Sequence, residues 1–148
     1  MANSDKDPLL VYSHTLAKFQ FIEEGIRIYL KAAYALTKAK LQGVISVNLS
    51  VESLQSKSLS ASLHEFRKFN GNSSLIDCIS KLIPKRNHLA HTALYKLYFH
   101  LEEGRDLQQE LQEAVQVGNQ AAGCIELLHK EIELIEGLCQ KAGIMNLE

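Results

Sequence analysis

Apolar residues recur at steps of three and four along most of the chain, which is the period of amphipathic helices. The longest such run is the last. Leu107, Leu111, Ala114, Gly118, Ala121, Ile125, Leu128, Ile132, Ile135, Cys139 and Ala142 alternate steps of four and three without a break. This heptad seam predicts a helix over residues 105–142, about 55 Å long at the usual rise per residue. Ala114, Gly118, Ala121, Ala122 and Gly123 gather mid-helix, where a partner helix can come close. The pattern leaves open whether that partner belongs to the same chain or to a second copy. A second long helix is predicted from Leu9 to Gln42, with Leu16, Phe19, Ile22, Ile26, Tyr29, Ala33 and Leu36 on one face and Glu23, Arg27 and Lys31 opposite. Gly43 stops it.

Between the long helices the signals are shorter. Val44–Ser50 alternates like a strand but has no second strand to pair with, so it reads as an extended connection. Ser50 or Ser53 is positioned to cap a helix over 51–69, which carries Leu54, Leu59, Leu63, Phe66 and Phe69. Its many serines weaken it, and packing must hold it. Asn70-Gly71-Asn72-Ser73 is a turn. A short helix follows over 74–83, and Pro84 reads as the opening of another over 84–102, because proline is favoured in a first helical turn. The sum is an all-α protein: an antiparallel helical bundle of about five helices, the first and last long, in a single domain spanning residues 1–148.

Composition agrees with a folded chain. Of 148 residues 46% are hydrophobic and 22% charged, with two prolines, no tryptophan and a net charge of −1. That balance gives no strongly basic face for duplex nucleic acid, although Lys31, Lys38 and Lys40, and Lys81, Lys85 and Arg86, form local basic clusters. Cys78, Cys124 and Cys139 lack metal-ligand spacing and read as reduced core thiols of a cytoplasmic protein. The polar start Met1–Asp7 has no signal-peptide pattern, and no apolar run approaches the roughly 20 residues of a membrane span.

One stretch departs from generic helix: Lys85-Arg86-Asn87-His88-Leu89-Ala90-His91. Asn87, His91, Tyr95, Tyr98 and Glu102 share one predicted face, and Ala90, Leu94, Leu97 and Leu101 an apolar stripe beside it. On a regular helix Arg86 and His91 stand about 140° apart, so helix geometry alone does not bring them together. The arginine must wrap back, or two copies of the helix must pool their residues. Glu23 and Glu24 are candidate partners for Arg86. His88 and His91 are spaced like a metal-binding pair, but no third ligand follows at suitable spacing, so neither a metal nor a cofactor is assigned.

Arg86-Asn87-x-x-x-His91 resembles the signature of the HEPN superfamily (higher eukaryotes and prokaryotes nucleotide-binding domain): an arginine, usually followed by a polar residue, and a histidine, with four to six residues between the two; here four intervene. The helical pattern of most of the chain is similar too, but only Arg86–His91 carries the specific signature. The resemblance implies a metal-independent endoribonuclease, a toxin or phage-defence effector, acting as a cytoplasmic homodimer whose two motifs face a shared cleft, with RNA as substrate and an antitoxin protein as a further partner. Arg86 would stabilise phosphate charge, His91 would carry protons, and Asn87 would support them. Lys85, His88 and Tyr95 would contact the substrate. The expected products carry 2′,3′-cyclic phosphate ends. Some members carry a tyrosine two residues after the histidine, the target of a nucleotidyltransferase antitoxin; here that position is Ala93, which puts that control in doubt. Two other readings stand beside this one: a module of the same type that binds nucleotide or RNA without cutting, and a helical dimerisation adaptor in which His91 is structural.

Overall fold

The computed structural model describes residues 7–103, 107–145 and 147. Helix α1 runs Pro8–Leu41, α2 Leu59–Phe69, α3 Ser73–His88, α4 Leu94–Glu103 and α5 Gln108–Lys141. A π-helical turn, Leu89–Ala93, joins α3 to α4, and a short 3-10 turn, Glu52–Leu54, precedes α2. There is no strand among the described residues. The protein is all-α, with long first and last helices. Gly104, just past the helix predicted over 84–102, lies outside the described residues, as do the side chains of Leu94, Leu101 and Glu102.

The caps explain where the helices start. Asp7 accepts from the Leu9 amide and Pro8 fills the first turn of α1, while Gly43 takes φ +80 just past its end. The helix expected from residue 51 begins only at Leu59, capped by Ser58, whose Oγ accepts from the Ala61 amide. Neither Ser50 nor Ser53 caps it. Ser53 Oγ donates to the Ser50 carbonyl and Ser56 Oγ to the Ser53 carbonyl, local bonds that compete with helix. Val44–Ser50 is irregular, and the chain settles again where Leu54 is buried.

Pro84 does not open a helix. α3 passes through it, and the predicted helices over 74–83 and 84–102 are one continuous rod, interrupted only by the π-turn. Proline in a helix interior removes the hydrogen bond to the carbonyl four residues back. Pro84 is exposed, and Leu82 and Leu89 are buried on either side of it, so packing carries the rod past the lost bond. The π-turn also resets the core face. Leu89, Ala93 and Leu97 are buried, in place of an expected stripe starting at Ala90, which is half-buried.

Successive passes are antiparallel. Asn72, Cys78 and Lys85 of α3 meet Glu131, Cys124 and Gln120 of α5 in descending order. α1 and α5 consequently run in the same direction. Thr15 Oγ1 donates to the Ala114 carbonyl at 3.0 Å, and Cys139 lies beside the Ala32 carbonyl at 3.5 Å. Between these points two glycines set the helix separation. A Cβ on Gly25 would stand 2.7 Å from Leu128 Cδ2, and one on Gly118 would stand 3.1 Å from Thr15 Oγ1. The heptad seam is thus satisfied inside the chain, by α1.

Two polar clamps fix the middle of the chain. Glu131 accepts from the side-chain amides of Asn70 and Asn72, pinning the turn between α2 and α3 to α5. Glu65, buried on α2, accepts from the Tyr34 hydroxyl at 2.7 Å and from Lys68 at 2.9 Å. These bonds hold its carboxyl below the usual carboxylate range, and burial with the Glu65 bond pushes the Tyr34 phenol up. Cys78 and Cys124 are joined by a disulfide with Cα atoms 6.2 Å apart, which corrects the expectation of three reduced thiols. Only the register of α3 on α5 puts them opposite, and residue spacing does not reveal it. Cys139 is a free, buried thiol.

Replacing Gly118 by Leu should destabilise the monomer by about 1–3 kcal/mol through overpacking against Thr15; an unchanged thermal midpoint would contradict the packing. Acid should weaken the fold through Glu65. Its pKa is lowered on folding, so it contributes stability above the unfolded carboxylate range and loses it as pH falls through the folded pKa. In denaturant titrations from pH 7 to pH 3, Glu65→Gln should show a shallower acid loss than the parent.

Candidate functional site

The motif occupies the end of α3 and the π-turn. An i→i+5 turn aligns residues five apart, where an α-turn aligns residues four apart. The π-turn overlaps the Arg86–His91 interval, so the angle of a regular helix does not hold between them. Such turns recur at functional sites.

The six candidate residues fall into three groups. Arg86 lies on the inner face of α3, in line with buried Leu82 and Leu89. Its guanidinium donates to Glu23 Oε1 of α1 and to Asn87 Oδ1, both at 3.3 Å. The Arg86 side chain is 32% exposed and that of Glu23 18%, so the pair is half-desolvated. Glu24, the other acidic candidate, pairs with Arg27 instead. Asn87 is exposed and accepts from the arginine.

Lys85 and His88 turn the other way, towards α5. They line a cavity of about 380 Å³ with Tyr12 of α1, Pro84 and Leu89, and Glu110, Glu113, Gln116 and Gln120 of α5. Lys85 Nζ donates to Gln120 Oε1 at 2.8 Å. Tyr12 is 2% exposed. Burial pushes its phenol up, and the Glu110 and Glu113 carboxylates add to the shift. Periodicity does not mark these groups as a site, because they come from three helices distant in sequence.

His91 and Tyr95 form the third group and face solvent, His91 on the π-turn and Tyr95 one turn further on. Tyr95, Tyr98 and Phe99 make an open aromatic ridge, with the Tyr95 and Phe99 rings 4.7 Å apart. Within the described residues of one chain, His91 has neither Arg86 nor Lys85 as a bonding partner. No group of three His, Cys, Asp or Glu able to hold a metal occurs among the described residues. Nor is any helix there long and apolar enough to cross a membrane.

No family model, no curated protein and no solved structure matches the chain. The account of the site therefore rests on its own residues.

Since the Arg86–Glu23 pair is only half-desolvated, its worth is that of a partly screened ion pair. Glu23→Gln should cost less than about 1 kcal/mol in a denaturant titration. A loss several times larger would make Arg86 a structural residue first.

Proposed function

We propose that the chain is a metal-independent endoribonuclease of the HEPN type, acting as a homodimer on RNA. The observation that supports this reading is the motif itself, set at the end of α3 and in the π-turn Leu89–Ala93, with Arg86 and Asn87 hydrogen-bonded to each other and His91 exposed beside them. In this reading His91 takes the proton from a ribose 2′-hydroxyl, the oxygen attacks the adjacent phosphorus, and the 5′-oxygen leaves with a proton from the partner copy's imidazole or from water. Arg86 balances the charge on the phosphate oxygens by charge-assisted hydrogen bonds. Asn87 fixes the guanidinium through the bond it already accepts.

A second copy is needed because His91 stands free of the arginine within one chain. The aromatic ridge on α4, beside His91, offers the apolar area such a contact requires, since tyrosine and phenylalanine dominate interface energetics. The α5 seam is excluded as that contact, being packed on α1. A toxin or defence role, with an antitoxin to restrain it, belongs to the same proposal. So does a cytoplasmic location, which sits against the Cys78–Cys124 disulfide because reducing compartments disfavour such bonds.

One observation favours a second reading, a module that binds RNA without cutting it: the Arg86 guanidinium is already held by a carboxylate. A phosphate must displace Glu23 or share the guanidinium with it.

The test is cleavage of single-stranded RNA in excess EDTA by the parent, His91→Ala and Arg86→Ala, each checked for folding by circular dichroism. Parental cleavage that falls at least 100-fold in both variants is the expected result, in line with the usual worth of a general acid–base group. Saturable RNA binding without cleavage would replace it by the binding module, and equal cleavage by all three would remove the motif from the chemistry.

A further inference from the structure

The cavity between α1, α3 and α5 is not used by the chemistry above, and its lining combines a mainly apolar surface with polar groups on facing walls. Its volume of about 380 Å³ lies within the range of small-ligand sites, roughly 300–1,000 Å³. One wall, from α3, offers the donors Lys85 and His88. The opposite wall, from α5, offers the carboxylates of Glu110 and Glu113, and Leu89, Ala114 and Val117 supply apolar surface for a flat ring. Tyr12 lines the same space. It is 2% exposed, yet its hydroxyl has no hydrogen-bond partner among the described residues. The hydroxyl oxygen is not sealed from solvent, so it is open to a ligand in the cavity.

We propose that this cavity binds a guanine base of the RNA strand, next to the phosphate held by Arg86. The proposal rests on the ribonuclease reading for its source of guanine, and on the cavity alone for its chemistry. Guanine carries the acceptors O6 and N7 on one edge and N–H donors on another. Lys85 meets O6 and N7, a pairing that recurs in base recognition. Glu110 and Glu113 accept from the N–H edge, and the Tyr12 hydroxyl bonds to the same base. Adenine has an amino group where guanine has O6, and it would set a donor against Lys85. Lys85 and Arg86 are adjacent and point to neighbouring sides of α3, about 100° apart, Lys85 into the cavity and Arg86 to Glu23, so a strand crossing the helix there presents a base to one and a phosphate to the other.

The experiment is calorimetric titration with a 2′-O-methyl oligouridylate carrying one central guanosine, its adenosine counterpart, and GMP. Methylation removes the attacking hydroxyl, so binding is read without cleavage. The guanosine strand should bind at least ten-fold more tightly than the adenosine strand, and more tightly than GMP. Lys85→Ala and Tyr12→Phe should each erase most of that preference. Lys85 is exposed, so its variant folds even if Tyr12→Phe does not. Equal affinity for the two strands overturns the proposal, and so does a preference that survives Lys85→Ala. Binding of GMP with no binding of the strand overturns the assignment to RNA. Cleavage in EDTA without guanine preference would remove this cavity and leave the ribonuclease, whereas guanine preference without cleavage would do the reverse.

Discussion

The close parallel packing of α1 on α5 is the constraint on which the rest depends. It exists because glycine stands at positions 25 and 118, where any side chain would meet Leu128 or Thr15. Two long helices with the same direction cannot be joined by a short turn. The residues between them must travel the length of the bundle and back onto its other end. That return is the broken antiparallel pass of α2, α3, the π-turn and α4, and it carries the motif. The clamps at Glu131 and Glu65 fix the upper part of the pass in register. The lower part, from Pro84 onward, is where Lys85, Arg86, His88 and His91 come to face different directions.

That divergence has a simple cause. Residues in one short segment of helix point to successive sides of the rod, and the rod runs between α1 and α5. Arg86 therefore meets a carboxylate of α1, while Lys85 and His88 meet α5 across the cavity. The π-turn alters the angle further for His91. A motif that looks like one cluster in the sequence becomes three faces, and a single site has to be assembled from them by a strand that wraps the rod or by a second copy.

Periodicity alone made the two long helices legible, because 34 residues of sustained three-and-four spacing leave little else for them to be. The serine-rich start of α2 was misplaced because hydroxyl groups satisfy backbone carbonyls locally without a helix. Pro84 misled in the other direction: its preference for a first turn is real, but buried neighbours on both sides kept it inside a rod. The Cys78–Cys124 pair and the Tyr12 cavity were not legible at all, since both depend on the register between distant helices. Of the site, Arg86's contact with α1 was anticipated through Glu23. The separate orientation of Lys85 and His88 was not.

The central claim is the chemistry of the motif, and the ends of the cut RNA report on it most directly. Mass spectrometry of RNA treated in excess EDTA should find 2′,3′-cyclic phosphate on one new end and 5′-hydroxyl on the other, as attack by the neighbouring 2′-oxygen requires. Ends bearing 3′-hydroxyl and 5′-phosphate would mean that water, and not the 2′-hydroxyl, is the nucleophile, and would contradict the account of Arg86 and His91.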